Sequence, residues 1–441
     1  MRKAIAILLC RLSKWALKLI GRGSSMPGRI ALKIYPDILS NISYPENIIA
    51  VTGSNGKTTT VEMINEVLSR VGYSVAYNVE GSNLLDGAAT LILDNCSLNG
   101  DFNKDVLLLE TDERYCQYIF KYVTPKYFVI TNIYRDQMSR NGNPEFVLGE
   151  IKKGIKEGST LILDSDDPAI CALSKEFENE CYFYGVGETP YVYEKLDSIY
   201  NDDYYCPECK HKMIYEYHHF AHVGKYRCPG CGFDRHEADV EATDLNLEKK
   251  TVEINGKHTI KMAMASLHNV YNILSAFSVC KLVGVEEEKI CASLNDYLIV
   301  NGRIKNFKDK DKEGTLLISK HENSISYNQN LKYVTSYDGD VSVIIIVDAI
   351  SRKYFTSETS WLWDISFELL QSDNVKQIVV SGCYASDVAL RMEYAGVADR
   401  MTIIKDIKEA ADYLSDNAIG HIFLLTCFSD EFKFMKEVSH D

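Results

Sequence analysis

Proline is scarce in this chain, 9 in 441 residues, so no long Pro-rich spacer separates its parts. Cations are in deficit: 48 Lys plus Arg against 62 Asp plus Glu leave a net charge of −14. That balance argues against binding nucleic acid through bulk charge. Nor is there a run of ~20 apolar residues able to span a bilayer. The nearest candidate, residues 4–20, reads AIAILLCRLSKWALKLI and is broken by Arg11, Lys14 and Lys18. No small-residue cleavage site follows a clean apolar core, so no secretory signal is expected. The 13 cysteines lack the spacing of a disulfide framework. Four form two tight CxxC pairs and nine are scattered, which points to a reducing cytoplasm.

The rest of the composition, 46% apolar and 25% charged, is that of an ordinary globular protein. At ~150 residues per domain the length suggests two or three domains. At the N-terminus Ile5, Leu8, Leu9, Leu12, Trp15, Ala16 and Leu19 recur at helical spacing, with Arg11, Lys14, Lys18 and Arg22 on the other side. The first 22 residues hold six positive charges and no acid. Two readings stay open for this basic amphipathic helix: it packs on its own domain, or it skims an anionic membrane surface at the inner face.

Beyond residue 46, short apolar runs alternate with helical patterns: NIIAVT, VAYNV, VLLLE, YFVITN and TLILD. Strand and helix at that spacing predict a parallel, doubly wound α/β sheet. Near 190–240 Tyr, Cys, His and Asp take over without a helical period, and a helical pattern returns at 265–284. A second βα series starts after Arg303 (TLLIS, VSVIIIVD, VKQIVVSG, HIFLLT). The expected division is a lead-in over 1–45, a central domain over 46–304 with an insertion at about 200–236, and a C-terminal α/β domain over 305–441.

The segment VTGSNGKTTT carries the most chemistry. A glycine loop between a strand and a helix N-terminus presents backbone N–H groups and a helix dipole to phosphate oxygens. This is the short GxxGKT form, Gly53-Ser54-Asn55-Gly56-Lys57-Thr58-Thr59, with Val51 at the outer glycine position of the longer pattern. Lys57 is expected to reach the β/γ-phosphates and Thr58 to ligate Mg²⁺. Glu110 ends the strand VLLLE, with Asp112 and Glu113 beyond it, and is a candidate Mg²⁺ ligand because such sites lie at the carboxyl ends of strands. Thr131, Asn132 and Asp136 are expected to line the same edge. Cys206-Pro-Glu-Cys209, 18 residues, then Cys228-Pro-Gly-Cys231 predict a structural Zn²⁺ ribbon, with an iron–sulfur site or redox dithiols as alternatives. His211, His218, His219 and His222 lie between the knuckles and are expected to be solvated. Asn269 and Asn272 share a face of the next helix, where they could clamp an adenine edge. Arg303 is expected to approach the nucleotide from the domain joint.

These residues resemble the Mur ligases, and within them the MurT branch. The resemblance spans almost the whole chain. It includes Met26-Pro27-Gly28, GSNGKTTT, Asn78 with Gly81-Ser82-Asn83-Leu84, ETDE at 110–113 and TNIYRDQMSR at 131–140. It continues through DSDDP at 164–168, the Cys₄ insertion, HNVYN at 268–272, Gly302-Arg303, SWLWD at 360–364 and SGCYASDVALRMEYAG at 381–396. It implies an ATP-dependent amide ligase subunit acting with a GatD-like glutaminase in a heterodimer. Its acceptor would be the second-position D-glutamate of lipid II or a related cell-wall precursor. It also implies that an acid before SWLWD completes the partner's Cys–His pair. Glu358 stands where the family usually has Asp, and Asp364 and Asp348 are the alternatives. Cys383 lacks the flanking glycine of a nucleophile elbow and is read as structural. Two other readings remain: a Mur-type ligase adding an amino acid, and a nucleotide- and zinc-binding scaffold without turnover.

Overall fold

The structure, a computed structural model, describes residues 1–19, 23–78, 82–195, 200, 202, 204–295, 297, 304–310, 312–350, 357–427 and 430–438. Arg22, Gly81, Gly302, Arg303 and the stretch 351–356 lie outside these residues. The chain divides into two compact units. The first holds residues 1–133, 144–197 and 201–299; the second holds 134–143, 198–200 and 300–441. The cut is therefore not a single point near 305, because 134–143 pack with the C-terminal part.

Among the described residues the first unit has eleven strands: β1 (Asn47–Thr52), β2 (Val75–Tyr77), β3 (Val106–Glu110), β4 (Tyr127–Ile130), β5 (Thr160–Asp164), β6 (Cys181–Val186), β7 (Ile214–Phe220), β8 (Val223–Arg227), β9 (Val240–Asn246), β10 (Thr251–Ile254) and β11 (His258–Lys261). Nine of them form one sheet in the order β11-β10-β9-β6-β5-β4-β1-β3-β2. From β2 across to β9 the pairings are parallel. Strands β3, β4 and β5 are buried throughout, as expected of parallel strands covered on both faces. The chain runs from β1 to β2 and β3 on one side and then crosses to β4 on the other. The crevice outside the end of β1 is thus the topological switch point where such sheets bind ligands.

β7 and β8 form a separate antiparallel hairpin that belongs to the Cys₄ insertion. Its Tyr226 and Phe233, with Cys206, Cys228 and Met213, join the same apolar cluster as the sheet. The insertion is fused to the domain rather than hung from it. His218, His219 and His222 are buried, not solvated as the sequence suggested. Only His211 of the four is exposed.

The N-terminal helix Arg2–Lys18 does pack on its own unit, but not through the long apolar stripe. Ala6, Ile7 and Cys10 are the buried residues, set against the helices Met26–Ile34 and Leu85–Asp94. Among the described residues no helix is long and apolar enough to cross a membrane.

The second unit adds β12 (Ile304–Asp309), β13 (Lys312–Ser319), β14 (Val341–Ile346), β15 (Val375–Ser381), β16 (Met401–Ile403) and β17 (His421–Cys427). They form one sheet in the order β12-β13-β17-β14-β15-β16, parallel except at β12. Helices lie on both faces, giving two apolar clusters.

Candidate active site

Register fixes the neighbours of the glycine loop. Val51 pairs with Glu110 and Thr52 with Ile130, so β3 and β4 deliver Glu110 and Thr131 beside residues 53–56. Gly53 and Gly56 have φ of +133° and +82°, where a side chain is strained. A Cβ on Gly53 would come 2.2 Å from Thr131 Oγ1, and one on Gly56 2.2 Å from Asn272 Oδ1. The loop is held from below by β4. Ser54 N–H donates to the Asn132 carbonyl (2.9 Å), Asn55 N–H to Asn132 Oδ1 (2.8 Å), and Thr131 Oγ1 donates to the Asn55 carbonyl (2.8 Å).

Helix Lys57–Arg70 starts directly at this loop. Lys57 is buried, and its Nζ donates to the Gly53 carbonyl and, at 3.0 Å, to Glu113 Oε2. Thr58 is exposed, and its Oγ1 donates to Glu110 Oε2 at 2.8 Å. Glu110 is buried and its backbone is clamped by Asn78. Its N–H donates to Asn78 Oδ1 (2.7 Å) while Asn78 Nδ2 donates to its carbonyl (2.9 Å). Thr59, half-buried, follows on the same helical turn. Lys57, Thr58 and Glu110 are thus brought together as anticipated. Glu113 had no assigned role, although its place three residues after Glu110 in ETDE was the available signal. Asp136 belongs to the second unit, where it pairs with Lys320 and accepts from Asn323 Nδ2 at 3.0 Å.

Asn269 and Asn272 sit on the helix Leu267–Leu282, whose N-terminus is capped by the Ser266 side chain. They do different things. Asn272 meets the phosphate loop at Gly56. Asn269 is fully buried, its Nδ2 donates to the Met264 carbonyl (3.2 Å), and its Oδ1 has no partner among the described residues. A buried acceptor without a partner suits a donor such as an adenine amino group. Arg303 lies outside the described residues.

The Cys₄ insertion touches that same helix. Phe220 stacks on His268 (centroids 4.2 Å apart) and meets Tyr271 edge-on. Asp166 ties the parts together. Its carboxylate pairs with Arg235 and accepts from Tyr271 O–H and Val186 N–H, both at 2.7 Å, while its carbonyl accepts from Gly224 N–H. Burial beside Asp166 and Asp167 pushes the Asp164 carboxyl pKa well up. Cys206, Cys209, Cys228 and Cys231 place their Sγ atoms within 4.8 Å of one another, with Sγ–Sγ distances of 3.6 Å (206 to 231) and 3.4 Å (209 to 228). A tetrahedron of Zn–S bonds near 2.3 Å has edges of about 3.8 Å, so the donor set fits Zn²⁺. Lys210 and Gly232, each one residue past a CxxC, have φ of +62° and +76°, which turns the backbone back toward the sulfurs.

The three candidate orienting acids separate cleanly within the second unit. Asp364 is bound to Arg135 at 2.8 Å. Asp348 is paired with Lys433 and accepts Cys383 N–H at 2.8 Å. Glu358 is exposed, and Oε1 accepts Ser360 N–H at 2.8 Å, which lowers its pKa. Cys383 lines a cavity of about 700 Å³ with Asp348, Lys405 and Lys433, but its bond to Asp348 raises the thiol pKa. That is the wrong direction for a nucleophile.

A mostly parallel sheet covered on both faces, with a phosphate-type loop at its switch point, a carboxylate facing the loop threonine and a second α/β unit define a Mur-type ligase. Residues 51–206 match the Mur ligase middle domain, and the fold is that of a pseudomurein peptide ligase type C from Methanothermus fervidus (TM-score 0.67, 20% identity, 91% of this chain and 80% of that one). Residues 321–430 match the MurT ligase C-terminal domain. The chain is 30% identical to the lipid II isoglutaminyl synthase (glutamine-hydrolyzing) subunit MurT of Staphylococcus aureus (strain COL), over 93% of this chain and 92% of that protein. It is 28% identical to the protein of the same name from Streptococcus pneumoniae (strain ATCC BAA-255 / R6), over 98% and 96%. The chain belongs to the MurT family.

Proposed function

We propose that this chain is the ATP-consuming subunit of a lipid II isoglutaminyl synthase. In this reading the γ-phosphoryl group of ATP passes to the α-carboxylate of the second-position D-glutamate in the lipid II stem peptide. Ammonia attacks the activated acyl carbon, the C–O bond to phosphate breaks, and the amide, ADP and phosphate leave. One former carboxylate oxygen departs in the phosphate. The ammonia comes from glutamine hydrolysed by a GatD-like glutaminase bound as a heterodimer.

The observation that carries the reading is the joint placement of Lys57, Thr58 and Glu110 at the end of β1. Lys57 and the loop N–H groups hold the β/γ-phosphates and offset the charge on the transferred group. Glu113 positions Lys57 over the loop. Thr58 and Glu110 would hold Mg²⁺, which polarises phosphoryl oxygens when bound. Asn269 serves the nucleoside side, and Asn272 supports the loop at Gly56. The four cysteines hold a structural Zn²⁺ with no open position for catalysis. Glu358, at the family's acid position, has an exposed carboxylate that accepts Ser360 N–H, and it orients the partner's Cys–His pair. None of the 13 cysteines is in a disulfide, in keeping with a cytoplasmic setting.

The test is reconstitution with lipid II, Mg-ATP, glutamine and the glutaminase, read by mass spectrometry of the stem peptide. Amidation that needs both chains supports the reading. Direct incorporation of an amino acid would select the other ligase chemistry, and absence of ATP turnover with any acceptor would leave only a scaffold.

A further inference from the structure

We propose that the helix Arg2–Lys18 is a membrane-surface anchor that lays its outer face on an anionic lipid bilayer. The helix is apolar on two faces. Ala6, Ile7 and Cys10 are used by the fold. Ile5, Leu8, Leu9, Leu12, Trp15 and Leu19 are spaced three or four residues apart, with one adjacent pair, and form a second stripe along ~21 Å of helix. That stripe is bare: Leu8 is 48% exposed, Leu12 53%, Trp15 73% and Leu19 79%. A contiguous exposed apolar face on a soluble unit marks a binding surface rather than chance exposure.

Charge chooses the occupant. The first 36 residues carry eight Lys and Arg and no acid, in a chain whose net charge is −14. Three of these bases are oriented by the fold without being neutralised. Arg2 donates to the Ile34 carbonyl, Lys3 to the Asn41 carbonyl, and Arg11 to the Leu93 and Cys96 carbonyls. Among the described residues, Lys14 and Arg29 meet acids, Asp94 and Asp86. Lys18 and Lys33 are exposed. A basic face behind a Leu/Ile/Trp stripe, with Trp15 on the apolar side, is the chemistry of a helix lying in the headgroup region of an anionic bilayer. If the acceptor is lipid-linked, as proposed above, the helix brings the ligase to the surface that holds it. The anchor itself does not depend on that reading, and substrate-free vesicles test it alone.

The experiment is co-sedimentation of the full chain with vesicles of phosphatidylglycerol and phosphatidylcholine, and with phosphatidylcholine alone. Binding is expected to the anionic vesicles only, to weaken with salt, and to fall at least tenfold in Leu8→Glu/Leu12→Glu. Both positions are solvent-facing, so the variant keeps the wild-type circular dichroism. The vesicle-dependent blue shift of Trp emission should vanish in Trp15→Phe while binding persists. Failure of the wild-type chain to bind anionic vesicles overturns the proposal, as does wild-type binding by the double variant. Concentration-dependent dimerisation without vesicle binding, abolished by the same variant, would assign the stripe to a second copy instead.

Discussion

Asp166→Asn should damage this protein far more than a one-atom change suggests. Asp166 is fully buried, and its carboxylate answers three donors from three parts of the chain: Arg235 of the insertion, Val186 of β6, and Tyr271 of the helix that carries Asn269 and Asn272. The amide keeps the size and one acceptor oxygen but turns a donor toward the others. It also leaves the largely buried Arg235 guanidinium, 11% exposed, with Glu241 as its remaining acid, at 3.1 Å. Removing one partner of a buried pair costs about 3–5 kcal/mol. By comparison, Tyr271→Phe removes one hydrogen bond to the charged group, about 1.5–3 kcal/mol. Urea unfolding followed by far-UV circular dichroism measures both. The double variant Asp166→Asn/Arg235→Met removes the stranded charge, so it should cost at least about 1 kcal/mol less than the sum of the singles. If Asp166→Asn falls within about 1 kcal/mol of wild type, or the two costs simply add, the buried charge is not what joins these parts.

Four further outcomes follow. Lys57→Ala should lower acceptor-dependent ATP turnover by about 10²–10³-fold, the usual loss on removing one transition-state charge stabiliser, with Lys57→Met/Glu113→Gln separating this from the stability cost of stranding Glu113. Cys206→Ser should abolish the binding of about one zinc per chain, measured by metal analysis. Through Phe220 against His268 and Tyr271 it should also weaken binding of an ATP analogue, seen by calorimetry. Burial lowers the His219 pKa below its ordinary value, so the unfolded chain binds a proton that the folded one resists. Stability is therefore full above about pH 6.5 and falls as the pH drops below it; His219→Gln should flatten that slope in denaturation curves taken between pH 7 and 5. Glu358→Gln should cut glutamine-driven amidation by about 10²-fold or more while amidation fed with ammonia is unchanged.

Much of the fold could be read because its strands are buried on both faces and spell continuous Val/Ile/Leu runs, as in VLLLE and VSVIII. The glycine loop and the two CxxC pairs were legible for a different reason: backbone geometry and metal ligation demand particular residues at particular spacings. Side-chain orientation was not. The strongest apolar stripe of the N-terminal helix faces outward, because the helix packs with small residues, Ala6 and Cys10, that permit close approach to its neighbours. The histidines of the insertion looked like loop residues, yet His219 is buried with its Nε2–H donating to the Val186 carbonyl at 3.0 Å, a partner 33 residues away. Asp136 was placed with Thr131 by sequence proximity, whereas its actual partners, Lys320 and Asn323, lie almost 190 residues downstream. Such pairings depend on tertiary contacts that no local pattern encodes.

The central claim is that the loop around Lys57 grips ATP so that a carboxylate becomes a phosphoryl acceptor. It is tested most directly by ¹⁸O tracing with lipid II labelled in the α-carboxylate of its D-glutamate, together with Mg-ATP, glutamine and the glutaminase subunit. The account predicts one labelled oxygen in each phosphate released with amide formation. Amide formed with unlabelled phosphate would contradict it.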